Sequence, residues 1–289
     1  VGPAFGRTLF PRAQPLASRA SRHWLYHRGM TPATAIPRSA AAPLAIGYHE
    51  AATDGALAVH FQQLWHNRQA PDAHGPVTVL PDGCVDILWR DGRLFVVGPD
   101  IVAAQPQLAP DSIVLGARFQ PGAAQDWLGL PMDAIVGQAV PLEDVLGAWV
   151  RDANLQLADV EDPVQQRALF ARLLAQATPR RDDGLRQHAA QVFASLSTGT
   201  VGVTEAAAVL EISPRSLLRL CNARFGYGPK VLDRVLRLQR LLSLSRDRPA
   251  LSLVDLALRA GYADQAHMGR DVRQLAATTP AALCRRYAG

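Results

Sequence analysis

Arg215 and Arg219 stand four residues apart, Asn222 follows three later, and a second set, Gln265, His267, Arg270 and Arg273, comes about fifty residues further on. A guanidinium presents paired donors that match O6 and N7 of guanine, and a glutamine amide matches adenine in the same bidentate way. Residues four apart on a helix share one face, so each set has the groups that reading base edges requires. His267, in the same set, is better suited to packing between helices than to contacting a base. Between the sets, Lys230, Arg234 and Arg237 fall on one side of a predicted helix, where cations suit phosphate oxygens rather than bases.

The elements that must position these groups repeat themselves. Ala207, Leu210, Glu211 and Ile212 recur fifty residues later as Ala257, Ala260, Gly261 and Tyr262. Beyond that turn the offset is 51: Ser213 answers to Asp264, Leu217 to Met268, Arg219 to Arg270 and Cys221 to Val272. Each copy predicts a short helix with a small residue against its partner, a tight turn, and a second helix of the kind that enters a major groove. Ser213 and Asp264 are N-cap residues, and Pro214 takes a first helical position. Leu217, Leu220, Cys221 and Phe225 face inward in the first copy, as Met268, Val272 and Leu275 do in the second. Between the copies one long helix is predicted from Pro229 to about Arg246. At the usual rise it spans roughly 25 Å, against roughly 34 Å for a turn of DNA, so a single chain can address successive major grooves.

In this order the features resemble the AraC/XylS family of bacterial transcription regulators. The resemblance runs from Leu185 to Arg286. It rests on Ser213-Pro-Arg-Ser-Leu-Leu-Arg-Leu, Gly226-Tyr-Gly-Pro-Lys, Arg237-Leu-Gln-Arg-Leu-Leu, Gly261-Tyr-Ala-Asp-Gln-Ala-His-Met-Gly-Arg and Thr278-Thr279-Pro280. It implies DNA contacts at Arg215, Arg219, Gln265 and Arg270. Four positions depart from the pattern: Glu211 and Ala277 stand where Gly is usual, and Cys221 and Val272 where Phe is. The smaller side chains weaken the core by about 1–3 kcal/mol each if uncompensated, and Phe225 is placed to refill the first. The N-terminal half is similar to one group within the family, through Leu80-Pro-Asp-Gly-Cys-Val-Asp-Ile-Leu-Trp, Val97-Gly-Pro-Asp, Gly116-Ala-Arg-Phe-Gln-Pro-Gly-Ala-Ala, Leu128-Gly-Leu-Pro and Val140-Pro-Leu-Glu-Asp-Val-Leu-Gly. Such N-terminal domains sense effectors or mediate dimerisation. The resemblance thus implies double-stranded DNA as partner, leaves room for a small-molecule effector and a homodimer, and adds RNA polymerase if the chain activates.

Charge separates the two halves. Residues 1–180 carry 14 basic and 16 acidic side chains, whereas residues 181–289 carry 16 and 9. The C-terminal half therefore has the sign of a polyanion binder. Residues 1–45 lack any Asp or Glu and are interrupted by proline and arginine, so they read as an unstructured or non-native extension with a working start near Met30, a transit peptide being the other reading. Residues 46–150 read as an α+β sensing or dimerisation domain. Strands are predicted at 77–80, 84–89, 94–97 and 112–119, the middle two joined by the hairpin signal Asp91-Gly92. Short helices are predicted at 122–128 and 142–150. Residues 151–183 read as a helix, 163–177 with Asp162 as N-cap, followed by a polar linker. Residues 184–289 are helical throughout. The fold class is α+β: a strand-rich N-terminal domain, then an all-α domain of two helix-turn-helix units joined by a long helix.

Other chemistries fare worse. His60, His66, His74 and Cys84 are spaced too irregularly for a zinc finger, and the three cysteines lack CxxC spacing. Neither a metal nor any other cofactor is expected. Cys84 in Pro-Asp-Gly-Cys has an alternative reading as a reactive thiol, a methyl acceptor in a DNA-repair or modifying enzyme fused to the same DNA-binding module. It opens a β-rich run, however, which favours a buried structural cysteine. Asp82 and Asp86 read as turn and strand residues, with no third group to orient them as an acid–base pair. Trp65, Trp89, Phe95, Phe119 and Arg118 are the types available to wall a small-molecule pocket, or to fill a core. No apolar run approaches the ~18–20 residues of a membrane helix, and a reducing cytoplasm suits the cysteine usage.

Overall fold

The computed structural model describes residues 48–71, 77–177, 179 and 184–288, all within one compact unit. The 1–45 extension, His74 and the greater part of the 178–183 linker lie outside the described residues.

Six strands form one antiparallel sheet: β1 (Tyr48–Ala52), β2 (Phe61–Arg68), β3 (Asp86–Arg90), β4 (Arg93–Val97), β5 (Ile113–Phe119) and β6 (Ala139–Pro141), in the order β1-β2-β5-β3-β4-β6. The β3–β4 hairpin closes as the Asp-Gly signal requires. Arg90 pairs with Arg93, and Asp91 and Gly92 both take left-handed backbone, φ 51° and 74°, the two-residue turn whose twist matches the strands. The strand expected at 77–80 reduces to a single bridge between Val79 and Ala104. β1 and β2 were not among the predicted strands. β2 carries no β-branched residue, and a bulge between Phe61 and Gln63 breaks its alternation.

Alternation gives the sheet two different faces. Ile87, Trp89, Leu94, Val96, Leu115, Ala117 and Phe119 point into a core covered by α1 (Ala124–Leu128), α2 (Leu142–Leu146), α3 (Ala148–Ala158) and α4 (Pro163–Gln176). Trp89 and Phe119 are thus core residues and not pocket walls. The helix expected over 142–150 is broken at Gly147, φ 84°, and restarts as α3. Asp162 caps α4 as its sequence predicts, accepting from the N–H groups of Val164 and Gln165. Phe170 and Leu174 of that helix join the sheet's core, so α4 packs with the sheet instead of bridging to the next half. The opposite face of the sheet, carrying Trp65, Asn67, Asp86, Leu88, Val97, Val114 and Arg118, lines a cavity of about 400 Å³.

The C-terminal half is helical: α5 (Arg186–Thr198), α6 (Val203–Val209), α7 (Pro214–Phe225), α8 (Pro229–Asp247), α9 (Leu253–Ala260), α10 (Gln265–Ala276) and α11 (Pro280–Tyr287). Leu232, Val235, Leu236, Leu238, Leu241 and Leu242 of α8 are all buried, and α8 packs against α5, α6, α7, α9, α10 and α11. It is the spine on which both repeats hang. Among the described residues no helix is long and apolar enough to cross a membrane.

Candidate nucleic-acid interface

The internal repeat reappears as one hydrogen-bond pattern drawn twice. After α6, the N–H of Glu211 donates to Ala208 O at 3.0 Å and that of Ile212 to Ala207 O at 3.1 Å; after α9, Gly261 donates to Leu258 O at 3.1 Å and Tyr262 to Ala257 O at 2.9 Å. This is the Schellman closure of a helix, which needs left-handed backbone at the residue after the cap. Glu211 (φ 53°) and Gly261 (φ 91°) both adopt it. The Glu at the first turn therefore occupies a conformation that costs a side-chain-bearing residue about 1–2 kcal/mol. Ala277, the other departure at a usual glycine, ends α10 at φ 50° and carries the same strain.

Each recognition helix then starts from a cap. Ser213 Oγ accepts from Ser216 N–H at 3.1 Å, and Asp264 Oδ1 accepts from His267 N–H at 2.6 Å. Leu217, Leu220, Cys221 and Phe225 are buried on α7, as are Met268, Val272 and Leu275 on α10. Cys221 and Val272 are fully buried despite their small size, and the Phe225 ring packs tilted against Phe193 at 5.8 Å.

With the inward stripes fixed, the remaining faces follow. Arg215 and Arg219 on α7, and Gln265, Arg270 and Arg273 on α10, are exposed. Asn222 is half-buried at the end of the α7 face. His267 belongs to the packing instead: its ring stands edge-on to Tyr262 and lies 3.2 Å from Arg237.

The expected phosphate stripe is revised. Lys230 is exposed, but Arg234 donates to Asp271 at 3.1 Å and to Gln274 at 2.6 Å. Arg237 pairs with Asp233, reaches Asp271 at 3.7 Å and lies over the Tyr262 ring. These two guanidiniums fasten α8 to α10 and so set the pose of the second recognition helix. Sequence reasoning also passed over Arg240, which donates to Ala260 O at the end of α9 and to carbonyls in the last turn of α5, joining α5 to the second repeat through two helix C-termini. A Cβ on its neighbour Gly199 would meet the guanidinium at 2.8 Å, and one on Gly261 would crowd it at 3.2 Å.

The N-terminal half grips the first repeat. Arg224, on the inward side of α7, donates to Asp126 Oδ1 and to Gly122 O, both at 2.8 Å, with the two charged side chains 1% and 4% exposed. Gly226 sits so close to Pro99, Met132 and Val136 that a Cβ would meet them at 2.6–3.1 Å. Gln239 of α8 donates to Pro81 O, and Gly83 abuts Phe193 and Leu232. Three of the segments that marked the N-terminal half in the sequence, Pro81-Asp-Gly-Cys, Gly98-Pro-Asp and Gln120-Pro-Gly, therefore meet the helices.

Asp82 and Asp86 have the third group that their sequence context did not reveal. Arg118 pairs with both, at 3.0 and 3.1 Å, and Trp65 Nε1 donates to Asp86 at 3.1 Å across Gly116, where a Cβ would strike the indole. Burial raises the Asp86 carboxyl, and Arg118 opposes that shift. Cys84 beside them is pushed well above the ordinary thiol range by burial and by Asp82, so it stays protonated and is a poor nucleophile. Arg167 packs on the His66 ring, and among the described residues no three His, Cys, Asp or Glu side chains gather to hold a metal.

Two capped helix pairs with exposed arginines on the second helix of each define a helix-turn-helix DNA-binding domain. Residues 206–286 match the helix-turn-helix domain family, and residues 49–141 match a domain of unknown function, DUF6597. The chain thus carries a helix-turn-helix domain preceded by a DUF6597 domain. No curated protein matches it. Similar solved structures include a probable AraC family transcriptional regulator from Rhodopseudomonas palustris CGA009, 21% identical over 36% of this chain and 99% of that one, TM-score 0.32. The C-terminal domain of AraT, a response regulator from Geobacillus stearothermophilus, is 20% identical over 37% and 87%, TM-score 0.32. ToxT from Vibrio cholerae O395 is 9% identical over 78% and 98%, TM-score 0.43.

Proposed function

We propose that this chain regulates transcription by placing α7 and α10 in successive major grooves of one duplex. Arg215, Arg219, Gln265, Arg270 and Arg273 read base edges, Asn222 borders that face, and Lys230 contacts phosphate. The observation that carries the reading is the doubled geometry: two Schellman turns, two capped recognition helices, and exposed guanidiniums on the face opposite each buried stripe. The N-terminal half governs this module by binding a small molecule or a second copy of the chain. The cavity on its sheet and its grip on α7 favour the small molecule. RNA polymerase is a further partner if the chain activates, and the cytoplasm is its compartment.

Selection of the full chain against a randomised duplex pool tests this reading. An enriched motif of two short blocks about one helical turn apart is expected; affinity indifferent to sequence at every salt concentration would refute it. We further propose that the chain has no catalysis of its own, supported by the burial and the Asp82 charge that raise the Cys84 thiol. A methyl adduct on Cys84 after incubation with alkylated DNA would overturn that.

A further inference from the structure

The cavity of about 400 Å³ on the open face of the sheet has apolar walls, including Val79, Val97 and Val114, and one acidic end. Three carboxylates line it, Asp82, Asp86 and Asp100, against two guanidiniums, Arg90 and Arg118. Arg118 is already shared by Asp82 and Asp86, and Arg90 lies over the Phe95 ring at 5.1 Å. Among the described residues no cation pairs with Asp100. Asn67 also lines the cavity, 5% exposed, with a buried Oδ1 that accepts no hydrogen bond among the described residues. The lining thus holds an excess negative charge and one buried acceptor without a donor among the described residues, an arrangement that is costly unless something supplies the counter-charge and the donor.

We propose that this cavity binds a small amphipathic organic cation, a protonated amine. Its ammonium is set against Asp100, and its apolar body lies along Val79, Val97 and Val114 towards Asn67. Tyr48 and Trp65, 5.8 Å apart at the wall, add ring faces that attract a cation. Burial, with Asp82 and Asp86 nearby, lifts the Asp100 carboxyl to about 6, and a bound ammonium relieves that repulsion. An anionic ligand would meet the same field with the opposite sign. This ligand class rests on the reading of the N-terminal half as a sensor. It also gives that sensor a route, because Asp82 and Asp100 sit beside Pro81 and Pro99, which touch α8 and the residue closing α7.

The test titrates the full chain with hexylamine, octylamine and 2-phenylethylamine, with the matched alcohols, and with the matched carboxylates, following tryptophan fluorescence and melting temperature. Amines should saturate, at least roughly tenfold tighter than the alcohols, and carboxylates should not. Asp100→Asn should lose roughly tenfold or more in amine affinity while melting no lower than the wild type. Saturation by carboxylates in place of amines, unchanged amine affinity in Asp100→Asn, or no saturation by any amine at millimolar concentration would overturn the proposal. DNA affinity measured with each saturating compound separates the two readings. Amine binding that leaves DNA affinity unmoved keeps the ligand class and removes the sensing role. Carboxylates or alcohols that shift DNA affinity keep the sensing role and remove the ligand class.

Discussion

Removing the Asp126 carboxylate should unsettle both halves of the molecule at once. Arg224 reaches it from the inward face of α7, the helix that carries Arg215 and Arg219, and both charged groups are almost fully enclosed, 1% and 4% exposed. In Asp126→Ala the guanidinium keeps the Gly122 carbonyl but loses its ion pair with Asp126 in a site water does not reach. Breaking a buried pair in this way costs about 3–5 kcal/mol, a large share of the ~5–15 kcal/mol that holds a typical domain folded. The double variant Arg224→Met/Asp126→Leu removes both charges and should recover most of the loss, because two charges then escape desolvation together. Urea unfolding followed by two probes is the assay. Tryptophan occurs only up to Trp149, so fluorescence reports the N-terminal half, while far-UV circular dichroism weights the helical half. The wild-type transitions should coincide, and those of Asp126→Ala should shift down and separate. A loss under about 1 kcal/mol, or a double variant no better than the single one, would refute the view that this pair locks the two halves together.

Three further outcomes follow from the same structure. Glu211→Gly and Ala277→Gly relieve left-handed strain at φ 53° and 50°; after the entropy that glycine adds to the unfolded chain, each should stabilise by up to about 1 kcal/mol, read as a rise in melting temperature. Asp100, raised to about 6 from an ordinary ~3.9, burdens the fold only when ionised. Asp100→Asn should therefore be more stable than wild type by about 1–2 kcal/mol above pH ~6, allowing for residual solvent contact, with the gain vanishing as pH falls towards ~4; a gain independent of pH would contradict this. Lys230→Ala should weaken binding to every sequence alike and lower the salt slope by about one unit, whereas Arg237→Ala should act through stability, lowering the melting temperature by loosening α8 from α10.

Local rules made the helix-turn-helix units legible in advance. Caps, Schellman turns and inward stripes are decided within a dozen residues, so Ser213, Asp264 and the offset-51 pairs announced them. The Asp91-Gly92 hairpin was legible for the same reason. What failed was non-local. Arg234 and Arg237 read as a phosphate stripe because their partner Asp271 lies more than thirty residues away and only tertiary packing brings it near. Arg224 and Arg240 escaped notice likewise, and Arg118 read as a pocket wall without its carboxylate partners, since nothing beside them in the chain tells a buried arginine from a solvated one. β2 was missed because its bulge changes which residues face the core. The strand expected at 77–80 had the composition of one, but among the described residues it forms a single bridge, Val79 to Ala104.

The central claim is that α7 and α10 read separate parts of one site. A base-resolution footprint on the selected sequence, repeated with Arg219→Ala and Arg270→Ala, tests it most directly. The account predicts two protected blocks on one face of the duplex, about one turn apart. Arg219→Ala should relax base preference in one block and Arg270→Ala in the other, each at a cost of ~1–3 kcal/mol. Variants that keep the wild-type footprint and preference, or that both relax the same block, would contradict it.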